Sequence, residues 1–243
     1  LDLAARWKWA EWGPGKPRRV TADSTWAQVR TWARKARATF GRRARVFCAS
    51  LADVFDEEAP IPARRLLWTL AAETCLDLEW MFVTKRPEMI PVVMHQDVLH
   101  HEFFEEIGAG LMTSIGVQSR AWCADQIKVT PALWHGLSCE PLLEELRFSP
   151  AQLRGLSWVI VGGESGDRAR PFNFDWARNL FHQCENVGQI ALFMKQTGEL
   201  VFDGGRFVNV NGKGEDFDSF PPELQRREWP EFPVVPRVMA RRP

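Results

Sequence analysis

The chain has 243 residues, of which 45% are hydrophobic, and its 31 basic and 31 acidic side chains cancel. That length suits one α/β domain, and a neutral chain has no global field drawing it to nucleic acid or membrane, so any such partner must be met by a local patch. No apolar run approaches the roughly 20 residues that a bilayer span needs, and the opening LDLAARWKWAEW lacks a signal-peptide core, so the expected location is the cytoplasm.

In chain order, the first predicted element is a helix with Trp26, Val29, Ala33 and Ala36 on one stripe. Between Arg30 and Arg45 stand Arg30, Arg34, Lys35, Arg37, Arg42, Arg43 and Arg45 without one acid, and Trp7, Trp9, Trp12, Trp26 and Trp32 lie nearby. Cations interleaved with aromatics suit nucleic-acid backbones and stacked bases, which makes Arg34, Arg37, Arg42 and Arg43 candidate nucleic-acid contacts. An amphipathic helix with its arginines in water is the plainer reading of the same pattern.

Apolar, β-rich runs then recur at Val46 to Leu51, Trp80 to Thr84, Leu111 to Ile115, Ala132 to Ser138, Trp158 to Val161 and Ile190 to Met194. Helical patterns separate them, with Leu66, Leu67, Leu70 and Ala71 on one face of Ala63 to Cys75, and Trp176, Leu180 and Phe181 within Asp175 to Val187. This alternation is the rhythm of βα units in a parallel sheet or barrel. His95, His100 and His101 with Glu102, Glu105 and Glu106 lack the i, i+4 histidine spacing of a helical zinc site, and a solvated helix face is expected there. Phe202 onward reads as a hairpin with turns at Gly204-Gly205 and Asn211-Gly212, then a proline-spaced tail, a C-terminal extension over residues 200–243 packed on one barrel-like domain.

The five cysteines, Cys48, Cys75, Cys123, Cys139 and Cys184, form no C-x-x-C pair and read as buried free thiols, so no metal site is expected from this chain's own residues. The composition also holds twelve Trp and no Tyr, which packing alone does not explain.

Each strand ends in polar residues: Ser50 and Asp53; Thr84, Lys85 and Arg86; Thr113 and Ser114; Ser138 and Glu140; Gly162, Gly163, Glu164 and Ser165; Lys195 and Gln196. In a parallel barrel all strand carboxyl ends lie on one face, so this set is the candidate binding site for substrate or cofactor. Gly162 and Gly163 would allow close backbone approach or positive φ, and Glu164 would accept from an ammonium or hydroxyl group. Arg168 and Arg170 would pair with a carboxylate or phosphate. The alternatives are a plain turn at the glycines and structural ion pairs, Lys85 with Asp53 or Lys195 with Glu140.

The ordered segments ARVFCASLADVFD, FVTKRPE, LSCEPLLEEL, WVIVGGESGDRARPF and FMKQTGE closely resemble the phage-associated domain of unknown function 5131 family, also met in bacterial genomes, from about Trp12 to EWPEFP. The resemblance implies a radical S-adenosylmethionine (SAM)-like partial (β/α) barrel with parallel strands. It also implies an N-terminal loop of three cysteines holding a [4Fe-4S] cluster whose open iron takes SAM. That loop is expected just before residue 1; Leu1 is not Met, and an upstream truncation is the expectation. LMTSIGVQS also departs from the family's Thr-Thr-Val-Glu-Asn type of strand end. Two functions follow: a SAM-dependent iron–sulfur enzyme acting on a nucleic acid or nucleotide, or a non-catalytic barrel that binds nucleic acid or a partner protein encoded nearby.

Overall fold

The computed structural model describes residues 15–48, 52–166, 168–210, 212–230 and 232. The predicted alternation is present: α1 (Asp23–Phe40), β1 (Ala44–Cys48), α2 (Ile61–Thr74), β2 (Leu78–Thr84), α3 (Ile90–Asp97), α4 (Phe103–Glu106) and β3 (Gly110–Ser114) come first. They are followed by α5 (Cys123–Gln126), β4 (Trp134–Cys139), α6 (Pro150–Leu153), β5 (Leu156–Gly162), β6 (Phe172–Asn173), α7 (Phe174–Val187), β7 (Ala191–Gln196), β8 (Val201–Asp203) and β9 (Arg206–Val208). The class is α/β, and the main sheet is parallel with six strands in the order β1-β2-β3-β4-β5-β7. Chain order and sheet order agree, which is the singly wound order of a partial (β/α) barrel rather than the reversing order of a doubly wound sheet.

The chain divides into two compact units, residues up to 111 with 130–133, and residues 112–129 with 134–232. In the first, β1 and β2 pair with Val46 opposite Trp80. Helix α1 buries Val29, Ala33 and Ala36, as its stripe predicts, and stops at Gly41 with φ of 60°. A left-handed residue there lets the Gly41 N–H return to the Arg37 carbonyl, and glycine pays no Cβ penalty for it.

One expectation in this unit is corrected. On α2, Leu66 is exposed, whereas Arg64, Trp68 and Thr74 are buried beside Leu67, Leu70 and Ala71. The reason is a polar network: the Arg64 guanidinium grips Asp97 at 2.9 and 3.0 Å, and the Trp68 indole N–H donates to the same carboxylate at 2.7 Å. A fully paired buried charge can take a core position that periodicity reserves for an aliphatic residue. In HHEFFEE the histidine and glutamate side chains make the expected solvated face, while Phe103 and Phe104 are core residues packed with Phe55, Trp68 and Phe82.

In the second unit, β4, β5 and β7 form a parallel ladder with Ser138 opposite Ile160 and Ile160 opposite Phe193. Helix α7 buries Phe174, Ala177, Leu180, Phe181 and Cys184, so Phe181 and Leu180 face the core as expected while Trp176 is only half-buried. The hairpin forms as predicted, β8 and β9 turning at Gly204 and Gly205, both with positive φ, and β8 also pairs with β6. Arg178 of α7 fixes this excursion by ion pairs to Asp175, Asp203 and Glu223. Beyond it the chain returns antiparallel along β7, Met194 N–H donating to Arg226 O and Glu228 N–H to Leu192 O, which satisfies backbone groups of that edge. Trp229 and Phe232 then pack with Trp134, Trp158 and Phe193. Three deeply buried indoles have their N–H satisfied: Trp68 by Asp97, Trp80 by Thr74 and Trp158 by Glu228 O.

Candidate functional site

In the second unit the strand order puts β5 between β4 and β7, and the last residue of β5 is Gly162. A β-carbon there would fall 2.5 Å from Glu140 Oε1 and 3.1 Å from its Cγ, so the Glu140 side chain passes over the glycine backbone. On the far side Lys195 Nζ meets both carboxylate oxygens, at 3.1 and 3.3 Å. The pair is unevenly wet: the Glu140 side chain keeps 19% of its exposure and Lys195 53%. Ser138, two residues before Glu140 and so on the same face of the strand, donates to Oε2 at 3.4 Å. Ser114 Oγ holds the Glu140 carbonyl at 3.1 Å. This ion pair, seen in the sequence as an alternative to ligand binding, is formed in the structure, and its exposed ammonium is still open to a second anionic partner.

The glycine pair is required by close packing rather than by positive φ. Neither Gly162 nor Gly163 has positive φ. A β-carbon on Gly163 would lie 2.5 Å from the Thr197 carbonyl carbon and closer still to its oxygen, while Gly163 N–H donates to Gln196 O at 2.9 Å. Gln196 returns a side-chain bond to Gly163 O at 3.1 Å. Gly198 and Gly214 extend the interlock, with Thr197 N–H donating to Gly214 O and Gly198 N–H to Lys213 O. Gly163, Gly198 and Gly214 are therefore needed because three loops of the chain lie against one another here.

Glu164 and Arg170 also serve each other. Glu164 accepts from Arg170 Nε at 2.8 Å, Nη2 at 3.1 Å and the backbone N–H at 3.0 Å. The adjoining guanidinium holds the Glu164 carboxyl down at about 2 against the opposing effect of burial, so it is ionised throughout the ordinary pH range. Ser165 lies half-buried beside it.

In the first unit, Asp53 acts as a brace. Its Oδ1 accepts from Phe55 N–H at 3.0 Å, and Oδ2 from Thr84 Oγ1 at 2.8 Å and Lys85 N–H at 3.2 Å. Thr84 Oγ1 in turn accepts from Arg86 N–H at 2.9 Å. Lys85 thus reaches Asp53 through its backbone. Arg86 pairs with Asp56 at 3.1 Å, and Arg18 clamps that aspartate from the other side at 2.6 Å. Sequence reasoning missed Asp56 and Arg18; the acid run DVFDEE was the available signal for the first, and nothing local marked the second. Ser50 lies outside the described residues.

The family DUF5131, described as a protein of unknown function, matches residues 3–233. The chain belongs to the DUF5131 family. No curated protein and no solved structure matches it.

The nucleic-acid candidates of this DUF5131 chain separate in the structure. Arg43 is not a surface contact: Nη2 donates to Leu78 O, Ile107 O and Gly108 O at 2.8 to 3.2 Å, and burial lowers its pKa. Arg37 pairs with Asp77, Arg30 with Glu73 and Arg45 with Glu79. Arg34 and Arg42 remain exposed, and Arg34 donates to Thr31 Oγ1 at 3.3 Å.

The cysteines bear on the implied cluster. All five are buried free thiols, and burial pushes Cys48 and Cys184 up to about 12 and Cys139 higher. A cluster needs several thiolates close together. Among the described residues no group of three His, Cys, Asp or Glu side chains could hold a metal ion. Nor, among them, is any helix long and apolar enough to cross a membrane.

Proposed function

We propose that this DUF5131 chain is the ligand-binding wall of a radical-SAM-type barrel, and that Glu140 and Lys195 hold the amino-acid head of SAM. The observation that carries the reading is the Lys195–Glu140 pair bridging Gly162 at the carboxyl ends of parallel strands, where ligands of singly wound α/β folds are bound. SAM ends in an ammonium and a carboxylate, and a half-exposed ammonium beside a more protected carboxylate offers the complementary charges. Ser138 supplies a hydroxyl between them. When bound, SAM supplies a reactive sulfonium; a nucleic acid or nucleotide is the substrate class proposed with it.

Calorimetric titration of SAM tests the reading. Lys195→Ala and Glu140→Gln are each expected to weaken binding by about ten- to a hundredfold, the scale of one charge-assisted hydrogen bond, with the melting temperature nearly unchanged. Loss of folding in both variants, or no saturable binding to the parent protein, overturns it.

The single, buried placement of the cysteines favours a second reading, a non-catalytic barrel that binds its partner without a cluster. Anaerobic reconstitution with iron and sulfide separates the two. Stoichiometric uptake by the full-length protein supports the enzyme, and no uptake alongside intact SAM or nucleic-acid binding supports the second.

A further inference from the structure

We infer that the outer face of α1 is a docking surface for single-stranded nucleic acid, independent of the strand-end site. Residues 24–52 contain no acid in a chain that is neutral overall. Structure divides the cations of this stretch into two classes. Glu73, Asp77 and Glu79 neutralise Arg30, Arg37 and Arg45, and Arg43 is spent on carbonyls. Arg34, Lys35 and Arg42 stay on the surface, and among the described residues none of the three has an ion-pair partner. A local positive field therefore survives the neutrality of the whole.

An aromatic lies within it. Trp32 is 45% exposed on a helix whose apolar stripe is already complete with Val29, Ala33 and Ala36. Lys35 follows one turn later on the same flank, and Thr39 one turn after that, leading toward Arg42 beyond the helix end. Phe40, 61% exposed, is a second exposed aromatic near the helix end, on the side of Val29 and Ala33. Polyanion neutralisation and sequence-tolerant base stacking are the two components of single-strand binding, and both are present on this face. A duplex would engage the cations but would not offer an unstacked base to Trp32.

The test is fluorescence anisotropy with a fluorescein-labelled oligothymidylate of about 20 nucleotides, longer than one binding footprint. With three phosphate contacts, log affinity should fall with log salt at a slope of about −2, since single strands release roughly 0.7 counterion per contact. The triple variant Arg34→Gln, Lys35→Gln, Arg42→Gln should lose that slope. Trp32→Ala should weaken binding roughly tenfold at fixed salt, within the stacking range, and Trp32→Phe should recover most of it, with circular dichroism unchanged in each. Undiminished affinity in the triple variant, equal affinity for duplex DNA, or full competition by polyglutamate with no effect of Trp32→Ala would overturn the inference.

Discussion

Gly163→Ala offers the sharpest test of how the loops are held. The new methyl carbon would sit 2.5 Å from the Thr197 carbonyl carbon, against an ordinary carbon–carbon contact of about 3.5 Å, so backbone must move by roughly 1 Å. Such a shift strains the 2.9 Å bonds from Gly163 to Gln196 and from Thr197 to Gly214. Overpacking costs about 1–3 kcal/mol and each weakened bond about 1 kcal/mol, a total of about 3–5 kcal/mol. For a chain of this size that corresponds to a fall in melting temperature of roughly 10 °C. Gly204→Ala is the control: its φ is 53° with nothing within 4 Å of the added carbon, so only left-handed strain of about 1 kcal/mol applies. Differential scanning fluorimetry of both variants is the assay. A Gly163→Ala protein as stable as Gly204→Ala, yet unable to bind its ligand, would refute the interlock and restore the glycine to the site.

Three further outcomes are expected. Arg64→Ala should cost about 3–5 kcal/mol in urea unfolding, because it leaves Asp97 charged and buried without its partner; a loss under 1 kcal/mol would contradict the network. Because Glu164 is held at about 2 in the fold, its contribution is complete above the unfolded glutamate pKa of about 4.3 and fades as pH falls toward 2. The stability gap between wild type and Glu164→Gln should accordingly be flat from neutral pH to about 5 and shrink below it, and a gap that widens in acid would refute the assignment. Cys48, Cys139 and Cys184 should resist a disulfide reagent at pH 8 in the native protein and react promptly in guanidinium, with mass spectrometry identifying each site.

The predicted strand set was legible because each strand is a short, nearly unbroken apolar run, as expected where both faces of a parallel sheet are covered. Helix α7 was legible for the complementary reason, its buried residues falling at helical spacing. Leu66 was misplaced, and Arg64 not foreseen as buried, because periodicity assigns a core position by residue type, whereas burial of Arg64 depends on Asp97 from a different helix. The sequence rule also placed Glu164, Asp53 and Thr84 at or just after strand ends, where they are, but their hydrogen bonds go to other protein groups, Glu164 to Arg170 and Asp53 to Thr84.

By itself, then, the amino-acid order determined the βα alternation, the family and the location of polar groups after each strand, since these follow from local runs, turn residues and motif order. Only tertiary structure decided which charges are spent and which remain available. Arg37 and Arg43 look like Arg34 and Arg42 in the sequence, yet one pair is bound to Asp77 and to carbonyls while the other stays in water. Electrostatic partners are chosen by distance through space, falling off within a few ångströms, and the separations in sequence that carry those contacts here, 40 and 65 residues, leave no local trace.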